Sequence, residues 1–276
     1  MLRIELYKIF SRPRTYISFA VITAITFIIQ LAMYVDGSSF VEFAIQGVGD
    51  QFDIQGRVLN GYLITYLILQ SLLVQVPLLI ALVAGDVLAG EANMGTLRLL
   101  LTKPISRTKV VWVKFVSSLV YALALLLWLA IIGLGASVLI FGTGDLINLK
   151  SDAFIMLLED DVLWRYGAAL AFAALAMATV AALSVFMSAF ADNSVGPIIG
   201  TMGVIVVLTI FTNLELPLFN LVKPYLFTTH MVAWKGFFDV PVPYEAIAQS
   251  AIVLTIYIIG FVVATMVVFN KKDILS

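Results

Sequence analysis

The chain has no cysteine and a single histidine, His230. Without cysteine there is no disulfide, no thiolate metal site and no cysteine nucleophile, and the redox compartment cannot be inferred. One imidazole rules out paired-histidine metal ligation and leaves a serine triad only that one ring. His230 falls between the last two hydrophobic runs, where packing or an interfacial position is the simplest reading. No G-x-x-x-x-G-K-[ST] run occurs, so the chain carries no phosphate-cradling loop of that kind and is not itself an ATPase of that type. Charge is scarce as well, at 12% of residues against 62% that are hydrophobic, a balance far from that of soluble domains.

What is abundant is long apolar sequence. A helix needs roughly 20 mostly apolar residues to cross a bilayer, with every backbone polar group bonded internally. Six runs reach that length: Thr15 to Val35, Gly61 to Ala84, Phe115 to Phe141, Gly167 to Phe190, Gly196 to Asn213 and Ile247 to Phe269. They predict an all-α membrane protein, a single domain over residues 1–276, with both termini on one side. The fifth run, with Gly196, Pro197, Gly200 and Gly203 near its start, is the least regular. The first is longer than the apolar region of a secretory signal, and "LAMYVDGSS" offers no A-x-A-like site, so it reads as a retained anchor.

Lysine and arginine orient the chain. One side holds Arg3, Lys8, Arg12, Arg14, Arg98, Lys103, Arg107, Lys109, Lys114, Lys271 and Lys272; the other has Arg57, Lys150, Arg165, Lys223 and Lys235. The positive-inside rule therefore places both termini in the cytoplasm, in an inner-membrane protein. No ionisable residue falls in the interior of a run, and Lys114 and Arg165 are expected to snorkel from run ends. The runs carry only modest polarity: Gln30, Gln70, Ser71, Gln75, Ser117, Ser118, Thr179 and Ser184. Nothing there suits proton or sodium coupling, so a driving force is expected from another chain. The acidic "LLEDDV" lacks the loop spacing of a calcium site and reads as a solvated face.

Two polar segments stand out. In "MLRIELYKIFSRPRTY", Leu2, Leu6, Ile9 and Phe10 recur at helical spacing beside Arg3, Lys8 and Arg12, and Pro13 ends the pattern. This predicts an amphipathic helix lying flat on the inner membrane surface. Its lone carboxylate, Glu5, either pairs with Lys8 one turn on, or belongs to an elbow that carries motion from a cytoplasmic partner. The second segment, "GEANMGTLRLLLTKPISRTKVVWVK", joins the second and third runs. Thr96, Leu97, Leu99 and Leu100 form a piece too short to span and too apolar for water alone. It needs the bilayer surface, a neighbouring helix or a partner protein, unless it is merely a basic turn that enforces topology.

The order of Gly85, Glu91, Gly95, Thr96, Leu97, Leu99, Leu100, Pro104, Ile105, Arg107, Val110 and Lys114 resembles the signature loop of the ABC type 2 export permeases. The amino-terminal helix with Glu5, Lys8 and Arg12, and the tail "FNKKDILS", are similar to the ends of such permeases. The resemblance implies a dimer of six-span subunits, identical or different, docked on a separate ABC ATPase that binds ATP and magnesium. It implies no cofactor, metal or catalytic residue in this chain, contact with membrane lipids and none with nucleic acid.

By the same resemblance Glu91, Gly95, Thr96, Leu97, Arg98, Leu99, Leu100, Pro104 and Arg107 couple to the ATPase, with the leucines seated in its groove and the bases as charge partners. Tyr62, Tyr66, Gln70 and Gln75 with Met202, Thr209 and Phe211 are expected to line the translocation pathway, although each glutamine could equally bond between helices. The aromatic segment with Pro217, Pro224, Pro241 and Pro243, between the fifth and sixth runs, is expected to be irregular or re-entrant at the outer leaflet. A weakly polar, uncharged lining suits amphipathic or lipid-like cargo better than sugars or ions; lipids or glycolipids, peptide antibiotics and factors for maturation of an exported metalloprotein are the candidates, and charge pattern does not choose among them. A secondary transporter or channel without an ATPase, and a membrane-embedded enzyme, remain the other classes.

Overall fold

The computed structural model describes residues 1–45, 58–72, 74–97, 102, 104–150, 153–214 and 220–272. It is an all-α membrane protein with six helices long and apolar enough to cross a bilayer: Pro13–Val41, Gln75–Asn93, Arg107–Phe141, Glu159–Phe190, Val195–Asn213 and Tyr244–Lys271. A short helix α1 (Leu2–Phe10) precedes α2 (Pro13–Ile45), which is interrupted at Asp36 by a non-helical backbone. The second expected run is not one helix. It divides into α3 (Gly61–Ser71) and α4 (Gln75–Ala84), followed by a single turn, α5 (Ala89–Asn93). Pro77 explains part of the division, because proline cannot donate to the carbonyl four residues earlier and is accommodated in a first turn.

The third span is α6 (Arg107–Ala130), a π-helical turn at Ile131–Gly135 and α7 (Ala136–Phe141). A π-turn leaves carbonyls poorly paired, which in hydrocarbon requires other donors. Gln30 supplies one, donating from Nε2 to the Ile132 carbonyl at 2.9 Å and to Ser137 Oγ at 2.9 Å. Thr65 Oγ1 donates to the Gly133 carbonyl at 3.1 Å. The glutamine of the first span is thus an interhelical bond. Asn60 caps α3, accepting from the Tyr62 and Leu63 amides at 3.0 Å each. Gly61 follows it because a Cβ there would lie 2.6 Å from the Val138 Cα.

A β-hairpin unforeseen in the sequence, β1 (Leu146–Lys150) paired antiparallel with β2 (Ala153–Leu157), links the third span to α8 (Glu159–Phe190). The second strand, AFIML, is a short apolar run with no alternation, so periodicity does not tell it from helix. The remaining elements are α9 (Val195–Asn213), a 3-10 turn at Lys223–Tyr225, α10 (Phe227–Met231), a 3-10 helix at Val232–Phe238 and α11 (Tyr244–Lys271). The long helix α8 is the centre of the bundle, touching α4, α6, α9 and α11. It is buried along most of its length, whereas α2, α6, α9 and α11 turn broad apolar faces outward, as lipid-facing helices do.

The segment between the fifth and sixth spans enters the bundle. Trp234 lines a small apolar cavity together with Leu72, Val76, Leu129 and Met177. Phe238 stacks edge-on against Tyr66 and Tyr166, with centroids 5.2 and 4.9 Å apart. Burial of these large rings removes apolar surface from water, and Trp234 does so where α3 gives way to α4. Pro217 lies outside the described residues.

Candidate functional site: a buried ionic cluster at the amino-terminal end

Helix α1 packs against α6 and the start of α2, with Glu5 and Ile9 buried while Ile4 and Tyr7 are exposed. Its inward face therefore sets a carboxylate beside the apolar Ile9, with Leu6 and Phe10 half-buried and Leu2 exposed. Glu5 Oε1 accepts from Lys8 Nζ at 2.9 Å and Glu5 Oε2 from Lys114 Nζ at 2.5 Å. Both lysines also reach Glu91 Oε1, Lys8 at 2.6 Å and Lys114 at 2.8 Å. Two carboxylates and two ammonium groups thus form a closed four-membered ring joining α1, α5 and α6. Lys114 is 2% exposed, so it does not snorkel to the interface as its place near a run end suggested. Its ammonium is turned inward onto the two carboxylates, Glu5 and Glu91.

A second ionic group lies beside the first. Asp86 accepts from Arg12 Nη1 and from Ser194 Oγ, and pairs with Arg14 Nη1 at 2.9 Å. It ties the α1–α2 junction to the α4–α5 turn and to the start of α9. Sequence reasoning missed Asp86 and Ser194. The available signal was position: Asp86 is the first charged residue after the uncharged run from Gly61 to Gly85, and the only bases near a bundle end in "SRPRTY" are Arg12 and Arg14. Backbone support comes from Ser188, whose Oγ accepts from the Leu88 and Ala89 amides at 3.2 and 2.9 Å and so holds the start of α5.

The electrostatics match this geometry. Burial alone would lower the pKa of Lys8, but hydrogen bonds and charge from Glu91 and Glu5 outweigh it and raise the value above the ordinary 10.5. A buried ion pair is stable only when its remaining lone pairs are also met. Glu91 Oε2 is buried and without a hydrogen bond among the described residues, so the ring is held on one oxygen of that carboxylate.

The turn after α5 separates the expected coupling residues. Gly95 takes φ +68, with open space where a Cβ would stand, which suits glycine in the left-handed region. Thr96 is exposed, and its Oγ1 donates to the Glu91 carbonyl at 3.3 Å. Leu97, expected to project to a partner, is 2% exposed and belongs to the chain's own core. Among the described residues of this turn, the large apolar side chain presented outward is Met94, 56% exposed. Pro104 is exposed. Arg98, Leu99, Leu100 and Lys103 lie outside the described residues. Arg107 is engaged within the chain: its Nη1 donates to the carbonyls of Phe269, Asn270 and Lys272 at 3.1, 3.1 and 2.8 Å. A guanidinium there satisfies the orphan carbonyls at the end of α11. Lys272 in turn pairs with Asp192 at 2.8 Å, so the last helix is latched to the α8–α9 junction.

The seven residues expected along a pathway do not share one surface. Tyr62 and Tyr66 are core: Tyr62 stacks on Tyr166 at 6.1 Å and its carbonyl accepts from the Tyr166 hydroxyl at 2.6 Å, while Tyr66 meets Trp234 and Phe238. Gln70 and Gln75 are exposed on either side of the α3–α4 break, and Met202 and Phe211 are half-buried on α9. Thr209 lines a polar-rimmed cavity between α4, α9 and the re-entrant segment. At the same end of the bundle Arg165 is buried, bonded to Asp161 and to the Phe237 and Asp239 carbonyls at 2.6 and 2.9 Å, and so fastens the re-entrant segment instead of snorkelling. His230 bridges the Pro224 carbonyl at 2.9 Å and Ser250 Oγ at 3.1 Å; since a carbonyl only accepts, Nε2 carries the proton.

These features define a six-helix membrane protein whose amino-terminal helix is bound to the bundle by buried charge. The chain belongs to the family described as protein of unknown function (DUF2705), whose family model matches residues 21–275. No curated protein matches it.

Proposed function

We propose that this chain is the transmembrane permease subunit of an ATP-driven ABC exporter, working as a dimer on separate cytoplasmic ATPase subunits. The observation that carries the reading is the ring of Glu5, Lys8, Glu91 and Lys114. It makes the amino-terminal helix, the turn at Glu91 to Leu97 and the third span one mechanical unit. A partner that displaces the turn must move α1 and α6 with it, and that is what transmission of ATP-driven closure to the spans requires. ATP can bias transport only if the turn is held differently in two states. Met94 and α1's exposed Ile4 and Tyr7 supply apolar contact for such a partner. ATP and magnesium belong to that partner, and the chain sits in the inner membrane with both termini cytoplasmic, as the distribution of lysine and arginine suggests.

An ABC ATPase encoded by a neighbouring reading frame would favour this reading, and co-expression with such an ATPase tests it. A complex stable in detergent is expected, abolished by Met94→Glu and uncoupled by Glu91→Lys. Full binding and full cargo-stimulated ATP hydrolysis by both variants would sink the proposal. One observation favours a second reading. Buried carboxylates, with Glu91 Oε2 unbonded among the described residues, are what a proton-coupled secondary transporter would need. Proton flux through liposomes containing this chain alone, abolished by Glu91→Gln, would favour that alternative.

A further inference from the structure

Two members of the ionic ring keep hydrogen-bonding capacity that the ring does not use. Glu91 spends Oε1 on both lysines, while its Oε2 is buried and accepts no hydrogen bond among the described residues. Lys114 is the complement. Its ammonium has three N–H groups, of which two go to Glu5 Oε2 at 2.5 Å and Glu91 Oε1 at 2.8 Å, and no third acceptor is found among the described residues. Lys114 and Glu91 are 2% and 3% exposed, so bulk solvent does not supply the missing bonds. A polar atom left unmet in such a place costs its desolvation, and a charged one costs more.

Both side chains line one cavity, with a volume of about 20 Å³. A water molecule needs roughly 10 to 15 Å³ by the same measure and two to four polar partners, so the space holds one. Charge decides that the occupant is neutral. Glu5, Asp86 and Glu91 line the cavity against Lys8, Arg12, Arg14 and Lys114, so an anion would meet three carboxylates and a cation four bases. The occupant must also donate to Glu91 and accept from Lys114, which water does through one oxygen. Entry is from the side of Lys8, Arg12 and Arg14, whose side chains are 40%, 29% and 37% exposed.

We propose that this cavity is the binding site of one ordered water molecule, which donates to Glu91 Oε2, accepts from Lys114 Nζ and accepts a further hydrogen bond from Arg12. The guanidinium of Arg12 meets Asp86 through Nη1 alone and has other N–H groups to give. The water therefore completes the ring and joins it to the Asp86 group. The site does not rest on the permease reading, which is tested by complex formation with an ATPase, whereas the water is tested on this chain alone.

The test is a crystallographic map of the full chain, at a resolution that shows buried waters, together with two variants at Val83, which lines the cavity. A peak is expected between about 2.5 and 3.2 Å from both Glu91 Oε2 and Lys114 Nζ. No peak there, with other buried waters visible, overturns the proposal. Crystals grown with bromide in place of chloride separate water from an anion: an anomalous peak at the position would make the occupant a halide and overturn the water. Val83→Ile adds one methylene at the cavity wall, and Val83→Thr adds a hydroxyl at nearly constant volume. Displacing the water should lower the melting temperature of Val83→Ile by about 2 °C or more in detergent, with Val83→Thr lying between it and the unsubstituted chain. A dry cavity predicts the opposite order, because filling it gains packing, and Val83→Ile melting above both other chains would overturn the proposal. If neither variant folds, the map decides.

Discussion

The two ends of the bundle solve the same problem with different chemistry. At one end a peripheral helix, α1, is tied on by the ring of Glu5, Lys8, Glu91 and Lys114, with Asp86 holding Arg12 and Arg14 alongside. At the other, the re-entrant segment is held by Trp234 and Phe238 sunk among Tyr62, Tyr66 and Tyr166, with one arginine, Arg165, bonded to its carbonyls. Ring packing gains from shape and area and has no partner to exchange. A buried ionic ring is different: each charge is stable only while its counter-charge stays, so the attachment is all or none and can be traded for another set of charges. The first device suits a fixed wall, and the second suits a part that moves under instruction.

The largest expected effect breaks the charged end. Lys114→Met keeps the length of the side chain but leaves Glu5 and Glu91 with Lys8 as their shared cation, and breaking a buried pair in this way costs about 4 kcal/mol. Thermal unfolding in detergent measures it. Adding Glu5→Gln to that variant should return at least about 1 kcal/mol, because contacting residues are non-additive; simple additivity would mean that the ring is not a unit.

Breaking the aromatic end comes next. Phe238→Ala removes a fully buried ring from the Tyr66 and Tyr166 contacts and should cost about 3 kcal/mol. Here a second substitution at Lys114 should add without coupling, since the two ends share no partner.

A smaller loss is expected inside the bundle. Gln30→Leu strips the π-turn of its donor to the Ile132 carbonyl and should destabilise by about 1 to 2 kcal/mol, read as faster backbone exchange at Ile131–Gly135.

The smallest effect separates the ends by pH. Lys8 has its folded pKa above the ordinary 10.5, so its contribution is fully present below pH 10.5 and is lost as pH rises through the higher folded value. Proteolytic accessibility of α1 should stay constant from neutral pH to about 10 and rise beyond it, while the environment of Trp234 stays unchanged. A Lys8→Met variant with the same alkaline release would show that another group controls the helix.

Several elements could be read from residues alone, and the reason is local. Runs of apolar residues long enough to span, a helix-breaking Pro13 and the scarcity of internal charge each act over one turn or one span, so the six helices and α1 follow from neighbours in sequence. The hairpin at Leu146–Lys150 and Ala153–Leu157 was hidden because its second strand, AFIML, is uniformly apolar and shows no strand period. The break between α3 and α4 was hidden because only the packing of Trp234 and Phe238 shows what fills the gap.

The candidate site divides along the same line. Glu5, Lys8, Arg12 and Glu91 could be nominated by order and spacing, whereas Asp86 meets Arg12 across 74 positions and Ser194 across 108. Leu97 illustrates the limit from the other side: an apolar residue in a polar stretch announces that it must be covered, but not by what. Sequence by itself determined that this protein lives in a bilayer, that it crosses as six helices and that most of its lysines and arginines gather at one end, because solvent preference is a property of each segment. Only the tertiary structure decided which charges meet, that Lys114 turns inward, and that Leu97 is covered by its own chain while Met94 is not. Those outcomes depend on which distant atoms are nearest, and in a low-dielectric interior the nearest counter-charge determines what a buried ion can do.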